Sequence, residues 1–213
     1  MPTLTTLVVF LGSTLALLAV PGPSVIYVVT RTLEQGRTAG LVSMLGLEAG
    51  ALLHVGLSAV GVTALLAASE VAFTAVRYAG AAYLVTLGVR QLRRRAALPG
   101  EAVTTPPASR PRLFRDGVLV DLLNPKTGLF FLAFLPQFVE PGRGPAALQV
   151  LVLGGCFVVL AALTDGSYAL AAAGLRRSLT RRRAAADGTG RRTSMDRLTG
   201  AVYFALGGLT VVA

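Results

Sequence analysis

Charge is what this sequence has least of. Of its 213 residues only 14% are charged, against 54% hydrophobic, and the mean hydropathy is +0.67. A soluble domain carries about 25% charged residues, so much of the usual solvating surface is missing. Cysteine is nearly absent as well: the single Cys156 lies in an apolar run, which excludes a disulfide framework and a thiolate metal site. Histidine occurs once, at position 54, and lysine once, at position 126. With so few ligating side chains there is no metal-ligand cluster, no nucleophile–base pair and no sign of a cofactor, so enzymatic chemistry finds no support.

What is there instead is a succession of apolar runs. Six are long enough to span a bilayer or nearly so, at about 4–29, 38–66, 73–89, 117–138, 146–175 and 198–213. A span needs about 20 apolar residues, with about 17 the usual minimum. The runs show no alternation with period two, so helices are the spanning structure they predict. The first run has no basic stretch ahead of it and is longer than the apolar core of a signal peptide, which favours a span over a cleaved leader.

The net charge of +10 at first suggests nucleic acid, but its placement argues otherwise. Every arginine except Arg77 and Arg143 falls in the links 30–37, 90–116 and 176–197. That is the positive-inside pattern, which predicts that these links face the cytoplasm and that both termini face out. The arginine blocks are also suited to anionic lipid headgroups. Two stretches, 96–112 with four prolines and 180–194 rich in Arg, Ala, Gly and Thr, read as cytoplasmic linkers.

Two of the runs break helical rules. The first contains Pro21-Gly22-Pro23 and the fourth Asn124-Pro125-Lys126. A proline inside a helix has no N–H to donate and clashes with the carbonyl four residues back, here those of Leu17, Ala19 and Asp121. In hydrocarbon a freed carbonyl is tolerated only against protein or a cavity. Spans one to three start outside and spans four to six inside, and each half opens with its broken helix. This predicts an all-α membrane protein: six transmembrane helices forming one transporter domain, as two inverted three-helix repeats at about 4–90 and 115–213.

Ionisable residues at membrane depth are functional candidates by default. They are Glu48 and His54 in the second run, Asp121 and Lys126 in the fourth and Asp165 in the fifth. Lys126 stands in a chain that otherwise uses arginine for positive charge, and an ammonium, unlike a guanidinium, can lose its proton when desolvated. Asp121 and Asp165 are placed either to neutralise Lys126 or to bind a cationic group. His54 shares a helix face with Gly46 and Gly50, so it is expected against another helix, with a packed hydrogen-bonded role the simplest reading. Glu48 lies on a different face. Small-residue faces of this kind allow close contact within one chain or in a homo-oligomer.

Taken together, Gly22-Pro23, Gly36-Arg37, Gly40, Gly46 and Gly50, then Gly80-Ala81-Ala82-Tyr83-Leu84 and Gly88, resemble the LysE/RhtB family of amino-acid exporters. The resemblance is sharpest at Phe114-Arg115-Asp116-Gly117, Asn124-Pro125-Lys126 and Phe134-Leu135-Pro136-Gln137-Phe138, and continues at Asp165, Gly200 and Gly207. It implies a multi-pass plasma-membrane exporter of amino acids or close derivatives, driven by proton antiport. Gly22, Pro23, Asn124, Pro125 and Lys126 would bind substrate, and Asp121, Asp165, Glu48 and His54 are the candidates for carrying the proton. Asp121 departs from the family pattern, which has an uncharged polar residue there, and Glu48 stands where small residues are usual. The alternatives are an exporter of an unrelated metabolite or toxic compound, or a non-transport membrane scaffold.

Overall fold

A computed structural model describes residues 2–69, 71, 74, 75 and 107–186, and within these every regular element is helical. All but residues 74 and 75 of the third expected span, the whole of the sixth, the repeat boundaries near 90 and 213 and most of the two linkers lie outside the described residues. The helices are α1 (Leu4–Ala19), α2 (Pro23–Gln35), α3 (Arg37–Ala68), α4 (Arg110–Leu122), α5 (Pro125–Leu129) and α6 (Ala146–Ala186). α5 continues through a π-helical turn, Phe130–Phe134, and a 3-10 turn, Leu135–Phe138.

The local causes are readable one end at a time. α1 starts at Thr3, whose Oγ1 accepts from the Thr6 amide at 3.0 Å. It ends where Pro21 and Pro23 interrupt the hydrogen-bond ladder, and the chain restarts as α2 with Pro23 in the first turn, where a missing N–H costs nothing. The two axes differ by 54°. The fourth run repeats the device. α4 stops at Leu122, Asn124 caps α5 with its Oδ1 accepting from the Lys126 amide at 3.0 Å, and the bend is 48°. Two of the three displaced carbonyls find protein partners: Leu17 O accepts from Val20 N, and Asp121 O from Asn124 N at 3.0 Å.

α2 passes to α3 through Gly36 alone. Its φ of +90° is a conformation that side chains avoid, and a Cβ there would lie 2.7 Å from Arg176 Nη1. α3 and α6 are each long and apolar enough to cross a membrane, and the two bent pairs would each make one further span. Two ends differ from the sequence expectation. α4 begins at Arg110, and α6 runs on to Ala186, so both helices extend into stretches read as linkers. Alanine and arginine are among the strongest helix formers, and an existing helix extends through them easily.

α3 is the central element, lying against α2, α4 and α6. Its contact with α4 is a backbone seam: a Cβ on Gly117 would lie 2.6 Å from Ser43 O and 3.1 Å from Gly46 Cα. Gly50 gives the same close approach to Asp121, where a Cβ would be 2.8 Å from the Asp121 Cβ. Small residues let helices in a bilayer approach this closely, where dispersion and packing replace the hydrophobic effect as the cohesive force.

The packed interior falls into two parts. At the end opposite Arg37, Arg110 and Arg176, Phe10, Phe130, Phe131 and Phe157 are buried with Val55, Leu135 and Leu153, and Phe134 and Phe138 pack on them. Ring centroids in this cluster lie 4.5 to 5.8 Å apart, in tilted or edge-on pairs. The π-helical turn that presents three of these rings ends next to Pro136, which has no N–H to continue the ladder, and the Phe131 carbonyl is taken by Ser58 Oγ at 2.8 Å. On the arginine side the clusters are thinner: Val25, Val29, Leu33 and Ala172, and Val28, Leu47 and Ala169.

Candidate functional site: a polar cavity at the two helix breaks

Between these apolar layers the two breaks face one another across a small cavity of about 40 Å³, room for a few water molecules. Its wall carries Gly22, Ser24, Glu48, Asp121, Asn124, Lys126, Thr127 and Asp165, with Leu17, Leu47, Phe157 and Ala161 among the apolar contacts. Glu48, Asp121, Asn124, Thr127 and Asp165 are all buried.

Four of these polar side chains, Asn124, Ser24, Asp121 and Thr127, form one connected chain. Asn124 Nδ2 donates to Ser24 Oγ at 2.9 Å, tying the two breaks together. Ser24 Oγ donates in turn to Asp121 Oδ1 at 3.4 Å, and Thr127 Oγ1 donates to the same oxygen at 2.9 Å. Lys126 Nζ donates to the carbonyl of Val20, the residue that ends α1, at 2.6 Å. The expectation that Asp121 or Asp165 would neutralise Lys126 directly therefore has a different outcome: among the described residues no ion pair involves Lys126. A carbonyl at a helix C-terminus carries part of the helix dipole's negative end and is itself a good seat for an ammonium.

Three carboxyl groups share the cavity with that single lysine. Glu48 Oε1, Glu48 Oε2 and Asp121 Oδ2 are buried and have no hydrogen-bond partner. An unpartnered buried polar group costs about 1–3 kcal/mol, so the cluster is a standing cost to the fold.

Of the residues singled out from sequence, Gly22, Asn124, Lys126, Asp121, Asp165 and Glu48 come together on the cavity wall. Pro125 opens α5, and Pro23 lines a neighbouring groove with Tyr27, Arg31, Glu34 and Val120. His54 is not brought into the cavity. It packs on α4 and α5 as its glycine face predicts, with Nε2 at 3.4 Å from the Asp121 carbonyl and its ring stacked on Phe131. Sequence reasoning missed Ser24 and Thr127. The available signal was a hydroxyl residue in the first turn after each proline break.

A family model, that of the LysE type translocator, matches residues 15–209, a stretch that includes both helix breaks and Lys126. The chain belongs to the LysE type translocator family. It is 34% identical over 193 residues to an uncharacterized membrane protein of Vibrio cholerae, covering 91% of this chain and 90% of that one. It is 36% identical over 159 residues to a homoserine/homoserine lactone efflux protein of Salmonella typhi, covering 75% and 76%. To a leucine efflux protein of Salmonella choleraesuis it is 30% identical over 131 residues, covering 62% of each. No solved structure matches the chain. As a LysE translocator it is a membrane transport protein, and the relatives named for cargo are named for amino-acid efflux.

Proposed function

We propose that this translocator exports amino acids or close derivatives across the plasma membrane by proton antiport, with substrate bound between Pro21–Pro23 and Asn124–Lys126. The observation that carries the reading is the apposition of the two breaks around one ammonium and three carboxyls. The named relatives, which efflux homoserine, its lactone or leucine, support the substrate class.

The chemistry follows from the side chains. Among the described residues Lys126 is the one cationic side chain on the cavity wall, and it engages a substrate carboxylate. The first turn of α2 adds to it, since Gly22 offers no side-chain cap to its free N–H groups. One ammonium against three carboxyls leaves negative charge in a site with little water, which is neutralised by taking up protons or a cationic group. Glu48, Asp121 and Asp165 are therefore the proton carriers of this proposal, with His54 set against the Asp121 backbone carbonyl. Two inverted three-helix repeats, with the arginine-rich links in the cytoplasm and both termini outside, would rock against each other to alternate access.

The test is efflux from preloaded, energised cells or proteoliposomes, with and without a proton uncoupler. Uncoupler-sensitive export of one amino-acid class is the expected result, and Lys126→Ala abolishes it while the protein still inserts. Absence of flux for every amino acid from correctly inserted protein would refute the cargo and move it to an unrelated metabolite.

A further inference from the structure

Lys126 supplies a direct probe of what the cavity accepts, because its own side chain ends in the functional group that every amino acid carries. Its ammonium is seated on the Val20 carbonyl at 2.6 Å, at the negative end of α1. Its stem passes over Gly22, where an added Cβ would lie 3.5 Å from Lys126 Cδ and 3.9 Å from Nζ. The lysine stem thus runs alongside the break between α1 and α2 without being clamped at Gly22. Around it, the unpartnered oxygens of Glu48 and Asp121 and the nearby Asp165 are acceptors for a cation.

We infer that the carbonyl end of α1 at Val20 is the seat for the ammonium group of the transported molecule, and that Lys126 occupies this seat in the empty protein. The inference rests on the amino-acid reading above and narrows it. A ligand ammonium displaces that of Lys126, which swings to the ligand's carboxylate when there is one and to the cavity's own carboxyls when there is not. A primary ammonium is thus required of the ligand, and a free carboxylate is dispensable. Amino-acid amides and lactones are within the substrate class, and neutral molecules of the same shape are outside it.

The experiment uses the full chain in lipid nanodiscs, with labelled L-homoserine and labelled L-leucine as reporters. The competitors are the unlabelled amino acids, their carboxylate-free forms homoserine lactone and leucinamide, and γ-butyrolactone, which lacks the amine. The carboxylate-free amines are expected to compete within about tenfold of the parent amino acid, a difference of about 1.4 kcal/mol, while γ-butyrolactone does not compete. In Lys126→Met the seat is permanently vacant, so the amides and lactones hold or gain affinity while the amino acids lose it, shifting the ratio by about tenfold or more. Retention of a labelled amino acid with no competition from its carboxylate-free form would overturn the inference and leave the amino-acid reading standing. Equal competition by γ-butyrolactone would also overturn it. If no labelled amino acid is retained, neither these two nor any of the other standard ones, the amino-acid reading itself fails, and this one with it. Should Lys126→Met not fold, as judged by size exclusion, the wild-type competition series decides alone.

Discussion

The α3–α4 seam makes a quantitative prediction in which the sign of a Gly→Ala change depends only on where the glycine sits. At Gly117 the new methyl would meet Ser43 O at 2.6 Å and Leu47 N at 3.2 Å, where ordinary contact begins at 3.4 Å. These are backbone atoms that no rotamer change can move, so the helices must part. Overpacking of this kind costs about 1–3 kcal/mol, only partly offset by the 0.5–1 kcal/mol that alanine gains over glycine in a helix. At Gly155, on α6, an added Cβ meets nothing within 4 Å, and only the gain remains. The two variants are expected to differ by about 1–3 kcal/mol, or roughly 2–12 °C in melting temperature for a chain of this size. Circular-dichroism melts of both proteins in the same detergent provide the comparison. A Gly117→Ala protein that melts at or above the wild type, or a Gly155→Ala protein that melts as far below it, would refute backbone contact between α3 and α4.

The remaining predictions concern polar and aromatic positions. Gln149 is buried, accepts from the Glu140 amide and donates to the Glu140 and Gly144 carbonyls, so Gln149→Leu should cost about 1–3 kcal/mol in the same melts by stranding three backbone groups. Phe130→Ala removes a ring that touches Phe10, Phe131, Phe134 and Phe157, and a loss of about 3–5 kcal/mol is expected. Glu48→Leu should do the opposite, raising stability by about 1–2 kcal/mol because both unpartnered oxygens disappear, while uncoupler-sensitive efflux is lost. A Glu48→Leu protein that is both less stable and fully active would contradict the role given to that carboxyl.

Much of this site is legible in the sequence because proline's defect is local and absolute. Pro21, Pro23 and Pro125 cannot donate a hydrogen bond in any surroundings, so the breaks at 20–22 and 123–124 follow directly from the residues. The face carrying Gly46, Gly50 and His54 is equally readable, since helical geometry fixes which side chains align, and it lies on α4 and α5. The partner of Lys126 is not readable in this way. Two aspartates advertise themselves as counter-charges, whereas the acceptor used is the backbone carbonyl of Val20, a group that every residue possesses. Ser24 and Thr127 escaped attention for a related reason: a lone hydroxyl in an apolar run usually bonds back to its own helix, as Thr63 and Thr164 do here. The far end of α6 was obscured by composition, because an arginine- and alanine-rich segment reads as solvated linker and as good helix alike.

The three carboxyls also share a coordinate along the bundle. Glu48 comes eleven positions after Arg37, Asp121 eleven after Arg110, and Asp165 eleven before Arg176, each pair within one continuous helix. At 1.5 Å per residue that is about 16 Å in every case, half of a hydrocarbon core about 30 Å thick. Were Arg37, Arg110 and Arg176 held at one headgroup level, as the proposed orientation has them, the carboxyls would form a layer near the electrical midpoint of the membrane. A charge that travels from either surface to this layer crosses about half of the transmembrane voltage, or roughly 1.2 kcal/mol per 100 mV. The voltage would then act equally on the entry and the exit of each charge, so that neither half of the cycle carries the whole electrical work.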